Sequence, residues 1–318
     1  MSHDASRTVG KEEFLVAAAA YLGTDLHTLP MAIEEPAVEA QRVVIEDPYR
    51  LMADEIDALA TGFHSHFGVV AFECRAHDVR DDTHPLIHIG AQLRDRLPCR
   101  WPVVNWEDVA DGTTKIFDVG PEEGKPRALS NQALAAHQDG WLSLPGVLAV
   151  TGLCADSPPS VAAVTYMQNV VRLALDLWRI DEPAFARLFD ADAVAVVRRS
   201  DGKRWTFPVL GVSDGRPRAF FRAPNDEFDV LPGRPDPDVT RAMDFLIKHT
   251  GSDAPGSTYT RLDRPGRGFL LDNYQCVHGR TAFVDGNGQK RVIASKWWAS
   301  DDQYKDIRWG TPETMASR

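Results

Sequence analysis

The sequence predicts a mainly β fold with flanking helices, built on an antiparallel core. Three observations point there. Short runs rich in β-branched and apolar residues recur at 146–153, 161–167, 257–262, 268–272 and 291–298. Turn-forming clusters separate several of them, notably Ser213-Asp214-Gly215-Arg216-Pro217 and the hairpin signal Asp285-Gly286-Asn287-Gly288. Helical stretches are scattered among the strands, without the regular β-α-β alternation of a doubly wound sheet.

Residues 11–30 read as a helix, because Phe14, Leu15, Ala18, Ala19 and Leu22 form an apolar stripe at helical spacing. A second helix covers 53–66, with Ile56, Leu59, Ala60 and Phe63 on one face. It runs into Gly68-Val69-Val70-Ala71-Phe72, a continuous apolar run typical of a buried strand. A third helix spans 84–97 and is stopped by Pro98 and Pro102. Residues 169–189 return to helix through Val170, Leu173, Leu177 and Phe185, and strands at 205–210 and 218–221 then flank the 213–217 turn. The helix from Pro237 to His249 opens on Asp236 as N-cap with proline in its first turn. After it the chain alternates strand and turn, with a further short strand at 281–284. No repeat or linker divides residues 1–318, which read as a single domain with an N-terminal helical portion over about 1–100.

A chain of 318 residues can bury a large core, and 43% hydrophobic with 25% charged residues is ordinary for a globular protein. The net charge of −11 disfavours a nucleic-acid partner, whose phosphates call for a concentrated basic surface. The N-terminus lacks the basic-then-apolar order of a signal peptide, and no apolar run is long enough to span a bilayer. The expectation is a cytoplasmic protein with a small-molecule substrate and no membrane or nucleic-acid partner; oligomeric state is not legible. Cys74, Cys99, Cys154 and Cys276 are far apart and form no C-x-x-C pair, so they read as reduced core thiols.

His137-Gln138-Asp139 places an imidazole and a carboxylate at i and i+2, positions that share one side of an extended strand. The best third ligand is His278, within Asp272-Asn273-Tyr274-Gln275-Cys276-Val277-His278-Gly279-Arg280. Two histidines and one carboxylate leave open positions on an octahedral ion, the arrangement of Fe(II) oxygenases. In a chain with ten histidines the tripeptide alone carries little weight, since an isolated histidine is usually structural.

The wider pattern resembles the taurine dioxygenase and clavaminate synthase-like family of 2-oxoglutarate oxygenases. Four ordered features carry the resemblance. His137-Gln138-Asp139-Gly140 is followed by the apolar Leu148-Ala149-Val150-Thr151-Gly152-Leu153-Cys154. Thr165 stands 26 residues after Asp139, and Asp272-Asn273-x-x-x-Val277-His278-Gly279-Arg280-Thr281-Ala282-Phe283 is close to the family's distal histidine block. Arg291 lies 13 residues beyond His278. The matched segments cover about residues 130–170 and 265–298.

The resemblance implies a double-stranded β-helix (jelly-roll) core, with Fe(II) on His137, Asp139 and His278, 2-oxoglutarate as co-substrate, and O2. It assigns the far carboxylate of 2-oxoglutarate to Arg291, whose forked donors suit it, with Thr165 as a further contact. The implied reaction hydroxylates, or otherwise oxidises, an unactivated C–H bond of a small polar substrate such as an amino acid or specialised-metabolite intermediate. The acidic ligand Asp139, in place of a small residue that opens a halide position, points away from halogenation. A lid is expected near 223–233, where Asp226 or Asp229 can bind a substrate amine or guanidinium; the competing reading is a solvated acidic loop. Trp141 and Ser143 are candidate pocket-wall residues, and Arg280 either touches substrate or supports the strand end. One departure is Ser295, with Lys296 beside it, where some relatives carry a second arginine.

Three other readings compete. Gly211-Val212-Ser213-Asp214-Gly215 matches the G-x-S-x-G of serine hydrolases, but that motif needs a strand before and a helix after it. A hydrolytic zinc site on the same three ligands leaves Thr165 and Arg291 without a purpose. A non-catalytic jelly-roll binder would not need the full ligand set.

Overall fold

The computed structural model describes residues 10–65, 67–105, 107–119, 129–140, 148–286, 290–300 and 308–309, the last two as backbone only. Among these, two sheets form the core. The larger runs in the order Arg42–Ile45, Val69–Cys74, Arg267–Asp272, Leu148–Ser157, Val292–Ala299 and Trp101–Pro102, with Thr114–Phe117 also paired to Val292–Ala299. The smaller runs Val38–Glu39, Thr258–Arg261, Val164–Asn169, Cys276–Arg280 and Leu134–His137. Pairing is antiparallel except at the first pair of each, which is parallel.

Apolar side chains divide into three packed groups. Helices Val170–Ile180, Glu182–Arg187 and Pro237–Lys248 bury residues such as Leu173, Phe185 and Leu246 with the smaller sheet's Val277. Helices Ala53–Phe63 and Pro85–Leu93 bury Leu59, Phe63, Leu86 and Ile89 against the larger sheet. Between the sheets lies a smaller group that includes Leu153, Phe269 and Ile293 from one side and Met167 and Cys276 from the other. Strand Val292–Ala299 shows how the two faces are divided. Its period of two sends Ile293 inward, while Trp298, 1% exposed, packs on the helix Pro85–Leu93 side. Gly90 and Gly152 make room for that indole: a Cβ on either would come within 2.4 and 2.8 Å of the Trp298 ring.

Several sequence expectations are corrected here. The first helix ends at Leu22, where Gly23 takes φ of 63° and donates its N–H to the Ala19 carbonyl. The stretch 169–189 is two helices, because Asp181 caps a new N-terminus by accepting from Ala184 N–H and Pro183 occupies its first turn. The N-terminal portion is helical only in part: Val38–Glu39, Arg42–Ile45 and Val69–Cys74 are strands that extend the two sheets. Residues 281–284 form no strand. Thr281 instead exchanges hydrogen bonds with the Val164 backbone, its N–H donating and its hydroxyl accepting, and Val284 makes an isolated bridge to Val161. Part of the 285–288 hairpin signal lies outside the described residues.

Ser213 ends the strand Leu210–Ser213, which pairs with Arg216–Ala219 across a two-residue turn at Asp214 and Gly215, both with positive φ. A hairpin stands where a nucleophile elbow would need a helix, so the serine hydrolase reading falls. All four cysteines are free and buried. Among the described residues no helix is long and apolar enough to cross a membrane.

Trp298→Ala is expected to lower stability by about 3–5 kcal/mol in denaturant titration, from lost burial plus the cavity left behind. Asp176, buried on helix Val170–Ile180, accepts Ile33 N–H, and burial pushes its carboxyl up to about 6 from an ordinary 3.8. Protonation therefore favours the folded state: the contribution is complete below the ordinary value and is lost as pH rises through about 6. Asp176→Asn should lose less stability than the wild type between about pH 4 and pH 7, read from unfolding midpoints at both.

Candidate metal centre

Strands Leu134–His137 and Cys276–Arg280 pair antiparallel with His137 directly opposite His278. Gly279 allows this close approach, since a Cβ there would stand 2.4 Å from the Tyr166 ring and hydroxyl and 2.7 Å from the Leu134 carbonyl oxygen. Asp139 follows just past the end of its strand and is fixed by Asn273. The Asn273 carboxamide oxygen accepts Asp139 N–H at 3.0 Å, and its nitrogen donates to the carbonyls of Asp139 and Leu148, each at 3.1 Å. Gln138, between the two ligand-type residues, points away from them. It donates to the carbonyls of Ala219 and Asn273 and accepts Phe221 N–H.

These anchors bring three ligand-type side chains together. His137 Nε2 lies 3.7 Å from Asp139 Oδ1, and His278 Nε2 lies 4.0 Å from Asp139 Oδ2. The two imidazole rings are 4.6 Å apart between centroids. His137 Nδ1–H donates to the Ala135 carbonyl at 2.9 Å, which leaves the Nε2 lone pair facing Asp139. Burial, and then the neighbouring His278, push His137 down to about 4, so its ring is neutral at physiological pH. Among the described residues, His278 Nδ1 is buried without a hydrogen-bond partner. Two imidazoles and a carboxylate, whose ligand-type atoms gather within 4.8 Å of one another, form a donor set that suits a divalent iron.

A second trio, His77, His84 and Asp156, gathers just as tightly. Its protons are committed elsewhere. His84 Nδ1 accepts Leu86 N–H as the cap of helix Pro85–Leu93, so Nε2 carries the ring proton and donates to Asp156 at 2.8 Å. His77 and Lys115 add bonds of 3.0 and 2.8 Å to the same carboxylate. Burial alone would raise Asp156, but these three donors outweigh it and hold the carboxyl well below its ordinary range. That trio is a filled hydrogen-bond cluster.

The first trio opens into a cavity of about 220 Å³ between the sheets. Ile293, Ser295 and Trp297 reach it from alternate positions of strand Val292–Ala299, Arg291 from just before that strand, and Thr165 and Arg280 from the smaller sheet. Arg291 is buried, sits 4.8 Å over the Phe283 ring, and pairs with no carboxylate among the described residues. Burial, reinforced by Arg280, pushes its guanidinium down to about 9. Such a group is short of an anion.

Of the substrate candidates, Arg280 lines the cavity, but its guanidinium donates to the carbonyls of Ser130 and Gln132 and so supports the chain entering strand Leu134–His137. Asp229 does not reach the cavity: strand alternation buries Phe228 and Val230 and turns Asp229 towards Arg199, 2.6 Å away. Asp226 is exposed and also lies off the cavity. Trp141 and Ser143 lie outside the described residues. Asn105, at the end of a short strand far from either ligand block, and Glu107, in the turn after it, line the cavity, although the acidic stretch from Glu107 to Asp111 reads from sequence as a solvated loop face. Trp297 also lines the cavity and donates its indole N–H to Asp139.

A sequence model of the family described as "Taurine catabolism dioxygenase TauD, TfdA family" matches residues 34–295. Among solved structures, the non-heme iron oxygenase OrfP in complex with Fe, succinate and (3S)-hydroxy-L-Arg is 20% identical, covering 83% of this chain and 85% of that one with a TM-score of 0.58. OrfP with Fe and alpha-ketoglutaric acid gives 20%, 80% and 83%, and 0.57. Asparagine oxygenase with Fe(II), 2S,3S-3-hydroxyasparagine and succinate is 15% identical over 92% of this chain and 93% of that one, with a TM-score of 0.55. No curated protein matches by sequence. Fold and family match together define a non-haem iron oxygenase that depends on 2-oxoglutarate. The chain belongs to the TauD, TfdA dioxygenase family.

The two trios make opposite predictions. His84→Ala should cost about 1–3 kcal/mol of stability, through the lost cap and the exposed Asp156 bond, yet leave 2-oxoglutarate consumption per folded molecule unchanged. Thermal unfolding and succinate release measured side by side check both halves.

Proposed function

We propose that this enzyme hydroxylates, or otherwise oxidises, an unactivated C–H bond of a small amino-acid-like substrate, holding its iron on His137, Asp139 and His278. The observation that carries this reading is one cavity containing both the ligand trio and a buried arginine that forms no ion pair with a carboxylate among the described residues. Iron, when bound with 2-oxoglutarate and O2, supplies the oxidising power that breaks such a bond, while the co-substrate leaves as succinate and CO2. Arg291 holds the far carboxylate of 2-oxoglutarate through its forked donors, which restores the compensation that burial denies it. Thr165, buried on the neighbouring strand, adds a hydroxyl to the same carboxylate. Leu153 and Ile293 narrow the apolar side of the cavity and keep water from the reacting bond.

Two opposed, mostly antiparallel sheets with the site between them suit a double-stranded β-helix, or jelly-roll, and we read the core so. We treat residues 1–318 as one oxygenase domain, an assignment supported by strands from both ends of the chain sharing the larger sheet. The lid expected over 223–233 is narrowed to 223–227, because Phe228–Pro232 is anchored on Val194–Arg198. This segment starts beside the centre, where Arg222 bridges to His137.

For the substrate, OrfP is described with L-Arg and hydroxylated arginines, and asparagine oxygenase with a hydroxyasparagine. A polar wall of Asn105, Glu107 and Ser295 supports a substrate of that kind here, with Glu107 suited to an ammonium or guanidinium group. Asp226 and Asp229 are not retained in that role.

Anaerobic addition of Fe(II) and 2-oxoglutarate should give a weak visible charge-transfer band, and a panel of free amino acids should reveal the substrate by stimulated succinate release. Alanine at 137, 139 or 278 should abolish substrate-coupled succinate formation. Arg291→Ala should raise the 2-oxoglutarate concentration needed by about 10- to 100-fold, the scale of a lost charge-assisted pair. Normal co-substrate affinity in that variant would remove Arg291 from the role.

A further inference from the structure

Asp139 is gripped from the opposite sheet by two donors that no ligand motif includes. Thr151 Oγ1 donates to Asp139 Oδ2 at 2.9 Å, and Trp297 Nε1–H donates to the same oxygen at 3.1 Å. The two donors are cross-strand partners: Trp297 stands directly opposite Thr151 in the ladder between Val292–Ala299 and Leu148–Ser157. Residues paired in this way project to one face of a sheet, so one carboxylate oxygen can be reached by both. Thr151 is fully buried, and its hydroxyl has this one partner among the described residues.

From this geometry we infer that Thr151 and Trp297 are positioning residues that occupy Asp139 Oδ2 and reserve Oδ1 for the metal; the inference rests on the ligand reading proposed above. A carboxylate oxygen can accept two hydrogen bonds, and Oδ2, which lies 4.0 Å from His278 Nε2, accepts both of these. Oδ1 takes no hydrogen bond among the described residues and lies 3.7 Å from His137 Nε2. A carboxylate held in this way supplies one ligand atom, as does each imidazole. Positions then stay free for the two oxygens of 2-oxoglutarate and for O2. Without the two donors, Oδ2 is free to turn towards the ion and compete for one of those positions. Because the donors sit on the larger sheet and the ligands on the smaller, the same contacts fix the spacing of the two sheets at the cavity. Outer partners of metal ligands act in this manner elsewhere, fixing orientation at a cost of 10–100-fold when removed.

Trp297→Phe keeps an aromatic wall and removes the N–H, while Thr151→Val keeps the shape and removes the hydroxyl. Each variant and their double is loaded with Co(II), a probe whose absorption spectrum reports coordination, and 2-oxoglutarate binding is followed by calorimetry without turnover. Wild type should take up Co(II) and His137→Ala should not; if wild type fails, the ligand reading itself is lost. Given wild-type uptake, each single variant should show an altered Co(II) spectrum and bind 2-oxoglutarate about 10-fold more weakly or worse, with the double variant weaker still. Wild-type spectra and affinities in both single variants overturn the positioning role. A variant that unfolds at lower temperature but keeps spectrum and affinity also overturns it, because that pattern marks a purely structural contact.

Discussion

The register between Leu134–His137 and Cys276–Arg280 is the constraint on which the site depends. It sets two imidazoles opposite each other with ring centroids 4.6 Å apart. Side chains in a strand alternate with a period of two, so a slip of one residue would send one imidazole to the helical face. A four-residue strand has little pairing of its own to resist such a slip. What resists it is polar and side-chain made. Asn273 clamps the backbone of Asp139 to Leu148, Gln138 ties the same stretch to Ala219 and Phe221, and Gly279 lets Tyr166 close against the strand pair. Each of these groups is buried and satisfied, so each alternative register leaves several of them unpaired.

Charge sets Arg291 apart from two other arginines of the interior and its margin. Arg172 lies 2.7 Å from Glu35, and Arg216 meets Asp272, which also accepts from Tyr21. These pairs tie N-terminal segments to the core, and their charges are compensated within the protein. Arg291, also buried, makes no such ion pair among the described residues; Asp285 offsets its charge only in part, and Arg280 beside it adds like charge. Burying an uncompensated cation is costly, and a folded chain tolerates it where a ligand completes the pair. The net charge of −11 says nothing of this local excess, because the acidic groups are spread over loops and helix ends.

Strand positions were legible where apolar runs were continuous, as at Val69–Cys74 and Arg267–Asp272, and the meeting of His137, Asp139 and His278 was legible from the ordered family pattern rather than from the tripeptide alone. The break at Asp181 was present in the chain as an Asp-x-Pro start signal, but the apolar periodicity ran across it. The acidic segment after Pro224 misled because composition does not orient side chains: alternation along Phe228–Pro232 turns Asp229 to the outer face. Asn105, Glu107, Thr151 and Trp297 were out of reach for another reason. Their roles follow from which strands become neighbours, and long-range pairing leaves no local trace in sequence. Trp297 and Trp298 make the point within one dipeptide, since one indole meets the Asp139 carboxylate and the next fills the space above Gly90.

The same residue types, two histidines and an aspartate, gather on both faces of the larger sheet with opposite outcomes. Along Thr114–Phe117 the alternation is direct: Thr114 and Ile116 face the cavity, while Lys115 reaches Asp156 on the far side. On that far side the backbone N–H of Leu86 dictates the His84 tautomer, and three donors converge on one carboxylate. On the cavity side the Ala135 carbonyl dictates the opposite tautomer for His137, and the donors to Asp139 crowd onto a single oxygen. Both clusters satisfy spacing rules for metal binding, so spacing does not distinguish them. The position of each proton does, and in both cases a single backbone group, one an N–H and the other a C=O, decides it.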